Sequence, residues 1–100
     1  MVDFRKPLFS LGRCEATPAA IQAIEEAGVG FGDILDRHVN GDWGELDKHD
    51  IQANESAIRF GSRILSLYRL STGAEIYVIT DAVGEDGSRE VTTIMLREEY

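Results

Sequence analysis

Cysteine is almost absent from this sequence, and Cys14 on its own excludes an internal disulfide framework and a cysteine-rich zinc site. Proline is confined to Pro7 and Pro18, so no proline-rich linker divides the chain. No apolar run approaches the ~18 residues of a transmembrane helix. The opening Met-Val-Asp-Phe-Arg-Lys-Pro-Leu also lacks the uninterrupted apolar core of a secretory signal. Lysine and arginine are scarce: ten against eighteen aspartates and glutamates, for a formal net charge of −8. That deficit argues against a free-standing nucleic-acid binder, whose footprint is a basic face, and against attachment to an anionic membrane. The expectation is a soluble, cytoplasmic, acidic protein of one domain, because 100 residues leave no room for a second core.

What is present is ordinary globular material, 43% hydrophobic with eight aromatic residues. The acidic excess belongs to both halves: ten acids and five Lys/Arg in residues 1–50, eight and five in residues 51–100. There is no acidic tail and no internal repeat, so the charge reads as a folded surface. Leu8–Gly12 alternates briefly and is expected to form a short edge strand. Thr17 as N-cap, Pro18 at the first helical position and Gly28 as C-cap delimit a first helix. Gly28, Gly30 and Gly32 lack the spacing of a dinucleotide fingerprint and read as a helix–helix turn.

A second helix is expected over Phe31–Val39, ended by Asn40-Gly41, and a third from an Asp47 cap to Phe60, stopped by Gly61. The third carries a thin stripe of Leu46, Ile51, Ala57 and Ile58, with Asn54 on nearly the same face. It therefore needs a sheet to lie on. The period then changes to strands over Ile64–Leu70, Glu75–Thr80 and Val91–Leu96, joined by a turn at Ser71-Thr72-Gly73 and a polar loop at 84–88. Short connections imply antiparallel neighbours. The fold class is α+β: two or three N-terminal helices, then a three- to four-stranded antiparallel meander that the N-terminal strand can complete.

The densest polar cluster is Arg37-His38-Val39-Asn40-Gly41-Asp42-Trp43-Gly44. One reading makes His38 a general acid/base whose tautomer Asp42 fixes. The other makes Asp42 the cap of a backbone turn and Trp43 a core anchor, and turn chemistry of this kind is common enough to be preferred. His38 and His49 with the surrounding acids match no metal-ligand spacing, so no metal and no cofactor are expected. Cys14, between Arg13 and Glu15, reads as a small half-buried strand residue rather than a nucleophile. Alternation puts Ser66, Tyr68 and Leu70 on the face opposite Leu65, Leu67 and Arg69. Across the sheet Arg69, Thr80 and one of Thr92 and Thr93 can converge. Beside His38 such a group would suit a phosphodiester, although threonine is also simply a good strand former.

From about Phe9 to Tyr100 the chain resembles a family of small bacterial proteins carried on plasmids and integrative elements, some labelled plasmid-related or as a type I restriction subunit. The matching residues are Leu11-Gly12, Ala16-Thr17-Pro18, His38 with Gly41-Asp42-Trp43-Gly44, and Asn54. Further on they are Ile64-Leu65-Ser66 with Tyr68, Val78-Ile79-Thr80, and Arg89 with Thr92-Thr93. The restriction label has no methyltransferase glycine motif to support it. The same order of elements is similar, more weakly, to ribonuclease domains of the barnase, EndoU, colicin and RelE grouping. That similarity implies His38 as acid/base, Arg69 or Arg89 as phosphate clamp, and Thr92 or Thr93 as hydroxyl donor. Candidate binding residues are Asp42, Trp43, Asn54 and Tyr68.

Two functions follow. One is a non-catalytic module on a ribonuclease-like scaffold that binds a protein with a basic surface, mimicking nucleic acid. The other is a metal-independent, toxin-like ribonuclease acting on RNA. Electrostatics favours the first, because ten cations must serve both an approaching phosphate and eighteen carboxylates.

Overall fold

A computed structural model describes residues 7–100, so the part of the secretory-signal reading that rests on residues 1–6 lies outside the described residues. The element order is β1 (Arg13–Ala16), α1 (Pro18–Ala27), α2 (Phe31–Val39), α3 (Lys48–Phe60), β2 (Ile64–Arg69), β3 (Glu75–Thr80) and β4 (Val91–Leu96), followed by a 3-10 turn over Arg97–Glu99. The protein is thus α+β. No described helix is long and apolar enough to cross a membrane.

The helix boundaries follow the local chemistry. Thr17 accepts a hydrogen bond from the Ala20 amide, Pro18 occupies the first turn of α1, and Gly28 closes it at φ 70°. Asp47 accepts from the Asp50 amide to start α3, and Gly61 ends it at φ 87°. α2 starts without a side-chain cap and buries Ile34, His38 and Val39, so its place is set by packing rather than by its ends.

The sheet order is β1-β4-β3-β2. β2, β3 and β4 form the expected antiparallel meander, with Ser66 opposite Val78 and Thr80 opposite Thr92. The all-antiparallel expectation is corrected at β1, which runs parallel to β4 with Cys14 beside Thr92 and Ala16 beside Ile94. The intervening helices and strands are far longer than a parallel crossover requires. A strand therefore precedes the helices. Leu8–Gly12 is not a strand: the Leu8 amide donates to the Val39 carbonyl, tying this segment to the end of α2. Gly12, at φ 64°, then turns the chain against the Arg89 and Glu90 carbonyls, where a side chain would collide, and only beyond it does pairing begin. Cys14 is a strand residue but exposed rather than half-buried, because β1 is the free edge.

One face of the sheet carries the helices. Ala20, Ile24 and Ile34 pack with Tyr68, Ile76, Val78 and Ile94 in one core cluster, while Trp43 and Ala57 pack with Ile64 in a second. Between these clusters sits a buried polar seam.

Candidate functional site: a buried hydroxyl–imidazole chain

α2 carries His38 four residues after Ile34, on the helix face that meets the sheet. β2 brings Ser66, β3 brings Thr80 and β4 brings Thr92, all at core-facing positions of three adjacent strands. All four side chains are fully buried. His38 Nδ1 lies 2.6 Å from Ser66 Oγ, and Nε2 lies 2.9 Å from Thr80 Oγ1. Thr80 Oγ1 is 2.7 Å from Thr92 Oγ1, which donates to the Leu11 carbonyl at 2.7 Å.

The last of these bonds fixes the direction of the rest. A hydroxyl has one proton. Thr92 spends its proton on Leu11 and must accept from Thr80. Thr80 then accepts from His38 Nε2–H. The chain therefore fixes a proton on Nε2; with the ring neutral, Nδ1 accepts from Ser66, whose hydroxyl turns to suit. Burial independently pushes His38 down to about 4. Phe9 and Trp43 seal the ring, both edge-on, with centroids 5.1 Å and 6.0 Å from it.

Asp42 does not reach His38. Its carboxylate grips Arg37 at 2.7 Å and 3.3 Å and accepts from the Gly44 amide at 3.2 Å. The Arg37 bond holds the Asp42 carboxyl below its ordinary range. The expected backbone turn is present, and Trp43 is buried as its core anchor. Tyr68 supports the turn by donating to the Asp42 carbonyl at 2.6 Å, with the Arg37 guanidinium 4.3 Å above its ring. Burial pushes the Tyr68 phenol up to about 12.

The two candidate clamps stand elsewhere. Arg89 is buried and donates to the carbonyls of Ser62, Asp81 and Ala57, at 2.7, 2.9 and 3.0 Å. It ties the end of α3 to the β3–β4 loop. Arg69 is exposed at the end of β2, opposite Glu75. Thr93 lies on the other face of β4 from Thr92. Asn54 makes a two-bond clasp on β2, donating to the Leu65 carbonyl at 2.6 Å and accepting from its amide at 3.0 Å. His49 is exposed in the first turn of α3.

Of the residues singled out in the sequence, the structure joins His38 with Thr80 and Thr92, and leaves Arg69, Arg89 and Thr93 outside that group. Phe9, which packs on the ring, and the Leu11 carbonyl, which ends the chain, have no such role in the sequence reading. Polar residues at core-facing positions are the available signal, since a buried hydroxyl or imidazole needs a partner. No family model, curated protein or solved structure matches this chain.

Proposed function

We propose that this chain is a non-catalytic protein-binding module, acting in the cytoplasm, whose acidic surface docks a protein with a basic surface and so stands in for nucleic acid. The observation that carries this reading is the sealing of His38. The ring is 0% exposed and both of its nitrogens are spent on hydroxyls, so no phosphodiester reaches it. The arginines that would stabilise a phosphorane are committed elsewhere or exposed at a distant strand end. Glu25 and Glu26 on α1 with Asp33 and Asp36 on α2 face solvent, and supply the charge that a basic groove selects. The resemblance to proteins of mobile elements fits a partner that itself handles nucleic acid.

The test is direct. Purified protein incubated with RNA in EDTA is expected to leave it intact, and a lysine-rich peptide is expected to bind with an affinity that falls steeply as salt rises. Cleavage of RNA that His38→Gln abolishes would replace this reading with the ribonuclease one, using His38, an arginine and a threonine. Salt-insensitive peptide binding would end the electrostatic argument.

A further inference from the structure

The sheet has a second face, and its chemistry is opposite to that of the rest of the molecule. Strand register places Leu65, Leu67, Tyr77, Ile79 and Met95 together on the side away from the residues that meet the helices. None of the five belongs to either helix-packed core cluster. Leu67 is buried among its neighbours on that face, and the other four are half-buried. Tyr100 lies on this layer, its ring edge-on to Tyr77 with centroids 5.3 Å apart.

The rim is arginine. Arg63 stands 5.6 Å over the Tyr100 ring, Arg97 pairs with Glu75 at 3.2 Å, and Arg13 pairs with Glu15 at 2.8 Å. Arg69 takes the register position opposite Glu75. Among the described residues Arg13, Arg63, Arg69 and Arg97 gather here; Glu15 and Glu75 pair with two of them, Glu90 and Asp81 lie within electrostatic reach of Arg13, and Arg63 and Arg69 on the β2 side stand outside these ion pairs. An apolar centre with tyrosine and methionine, and with arginine at its edge, is the composition that distinguishes protein–protein interfaces from ordinary surface.

We infer that this open sheet face docks a protein segment bearing an apolar stripe flanked by carboxylates. The charge of the rim selects that occupant over two others. The acids of this face already sit beside Arg13 and Arg97, so a second copy of this chain offers Arg63 and Arg69 no free carboxylate from it. Its acidic helical surface, for its part, offers only Ile21 as an exposed large apolar residue on α1 and α2. Single-stranded nucleic acid needs free aromatic faces for its bases. Here Tyr77 is engaged by Tyr100, Tyr100 lies under Arg63, and the remaining floor is aliphatic. The inference concerns a different face and the opposite charge from the acidic docking proposed above, so either can fail alone.

The experiment titrates isotope-labelled protein with two synthetic amphipathic helical peptides of about twenty residues, sharing one leucine–phenylalanine stripe and flanked by either glutamate or lysine. The glutamate peptide is expected to shift the amides of Leu65, Leu67, Tyr77, Ile79 and Met95, and to weaken about tenfold or more in Arg63→Glu/Arg69→Glu. Tyr77→Ser is expected to weaken it independently of charge. Absence of shifts at millimolar peptide, or shifts confined to the helical side, would overturn the inference. So would indifference to the charge reversal. An oligouridylate that perturbs the same amides more tightly than the peptide would assign the face to nucleic acid instead. A dimer seen by sedimentation and lost in Tyr77→Ser would assign it to a second copy. The lysine peptide reports separately on the acidic surface.

Discussion

At the scale of single residues, His38 shows how a buried titratable group is tolerated. Its neutral form is satisfied at both ring nitrogens, whereas a charged ring would have to be held in a fully buried site away from water. The fold therefore binds the neutral form, and the pKa falls from 6.5 to about 4. The unfolded chain takes up a proton first as pH drops. The contribution is fully present above pH 6.5, is lost as pH falls from there toward 4, and changes no further below that. A shift of this size corresponds to about 3 kcal/mol at most. Urea unfolding of the protein and of His38→Gln at pH 7.5 and 4.5 should show the stability gap narrowing on the acid side. A gap independent of pH would refute the assignment. The same residue should matter mechanically. His38→Ala takes the imidazole partner from Ser66, leaves Thr80 with Thr92 alone and opens a cavity, and is expected to cost about 2–4 kcal/mol. Arg89→Met should cost a similar ~2–4 kcal/mol, because three backbone carbonyls lose a charged donor, one of them (Ala57, which keeps the Gly61 amide) at the C-terminal turn of α3 where a cation is favoured. Both values can be read from the urea midpoint.

At the scale of elements, β2 forms the second edge of the sheet, opposite β1, and the chain covers much of it without another strand. Asn54 presents its amide to Leu65 as a strand backbone would. The Leu67 amide donates to the Trp43 carbonyl at 3.1 Å, and the Glu45 amide donates to the Leu67 carbonyl at 2.7 Å. Gly44, at φ 73°, lies so close to the Leu67 carbonyl and the Tyr68 ring that a Cβ has no room. Gly44→Ala should therefore destabilise by about 2 kcal/mol or more, through both strain and collision. Asn54→Leu should open the edge, raising hydrogen exchange at Leu65 and promoting self-association. Unchanged exchange at Leu65 would mean that the clasp is dispensable.

These clasps also explain what could be read from sequence and what could not. Thr17, Pro18, Gly28, Asp47 and Gly61 act within a turn of themselves, so their roles were legible and all three helices fall where expected. Strand alternation likewise gave the two faces of β2. The parallel pairing of β1 was not legible, since nothing within Arg13–Ala16 records that its neighbour lies at Val91–Leu96. Nor was the partner of His38. Asp42 stands four residues away and looked sufficient, whereas the actual partners lie 28 and 42 positions along the chain. Asp42 was claimed by Arg37, one residue farther along the chain but charged and able to donate two hydrogen bonds to the carboxylate.

At the scale of the whole molecule, charge sets a balance that salt can move. The chain carries eighteen acids and ten cations, and the folded molecule has a radius of gyration of 13.2 Å, whereas an unfolded chain of this length spreads over roughly 30 Å. Folding therefore compresses like charge. At ~0.01 M salt the screening length of about 30 Å exceeds that radius, so the carboxylates of opposite sides repel one another; at ~0.15 M it is about 8 Å and most of that repulsion is gone. Salt also weakens attraction, and here that means the exposed pairs Arg13–Glu15, Arg37–Asp42 and Arg97–Glu75. Exposed pairs contribute little and span a few ångströms, so they are screened less than the long-range excess. Repulsion should win. The melting temperature is expected to rise by a few degrees between ~0.01 and ~0.3 M NaCl, equivalent to about 1 kcal/mol in a chain of this size. The rise should be larger in Arg63→Glu/Arg69→Glu, whose added negative charge increases the repulsion that salt removes. A melting temperature that is flat or falls with salt would mean that the arginine-rimmed face and the ion pairs, rather than the acidic excess, dominate the electrostatics of the fold.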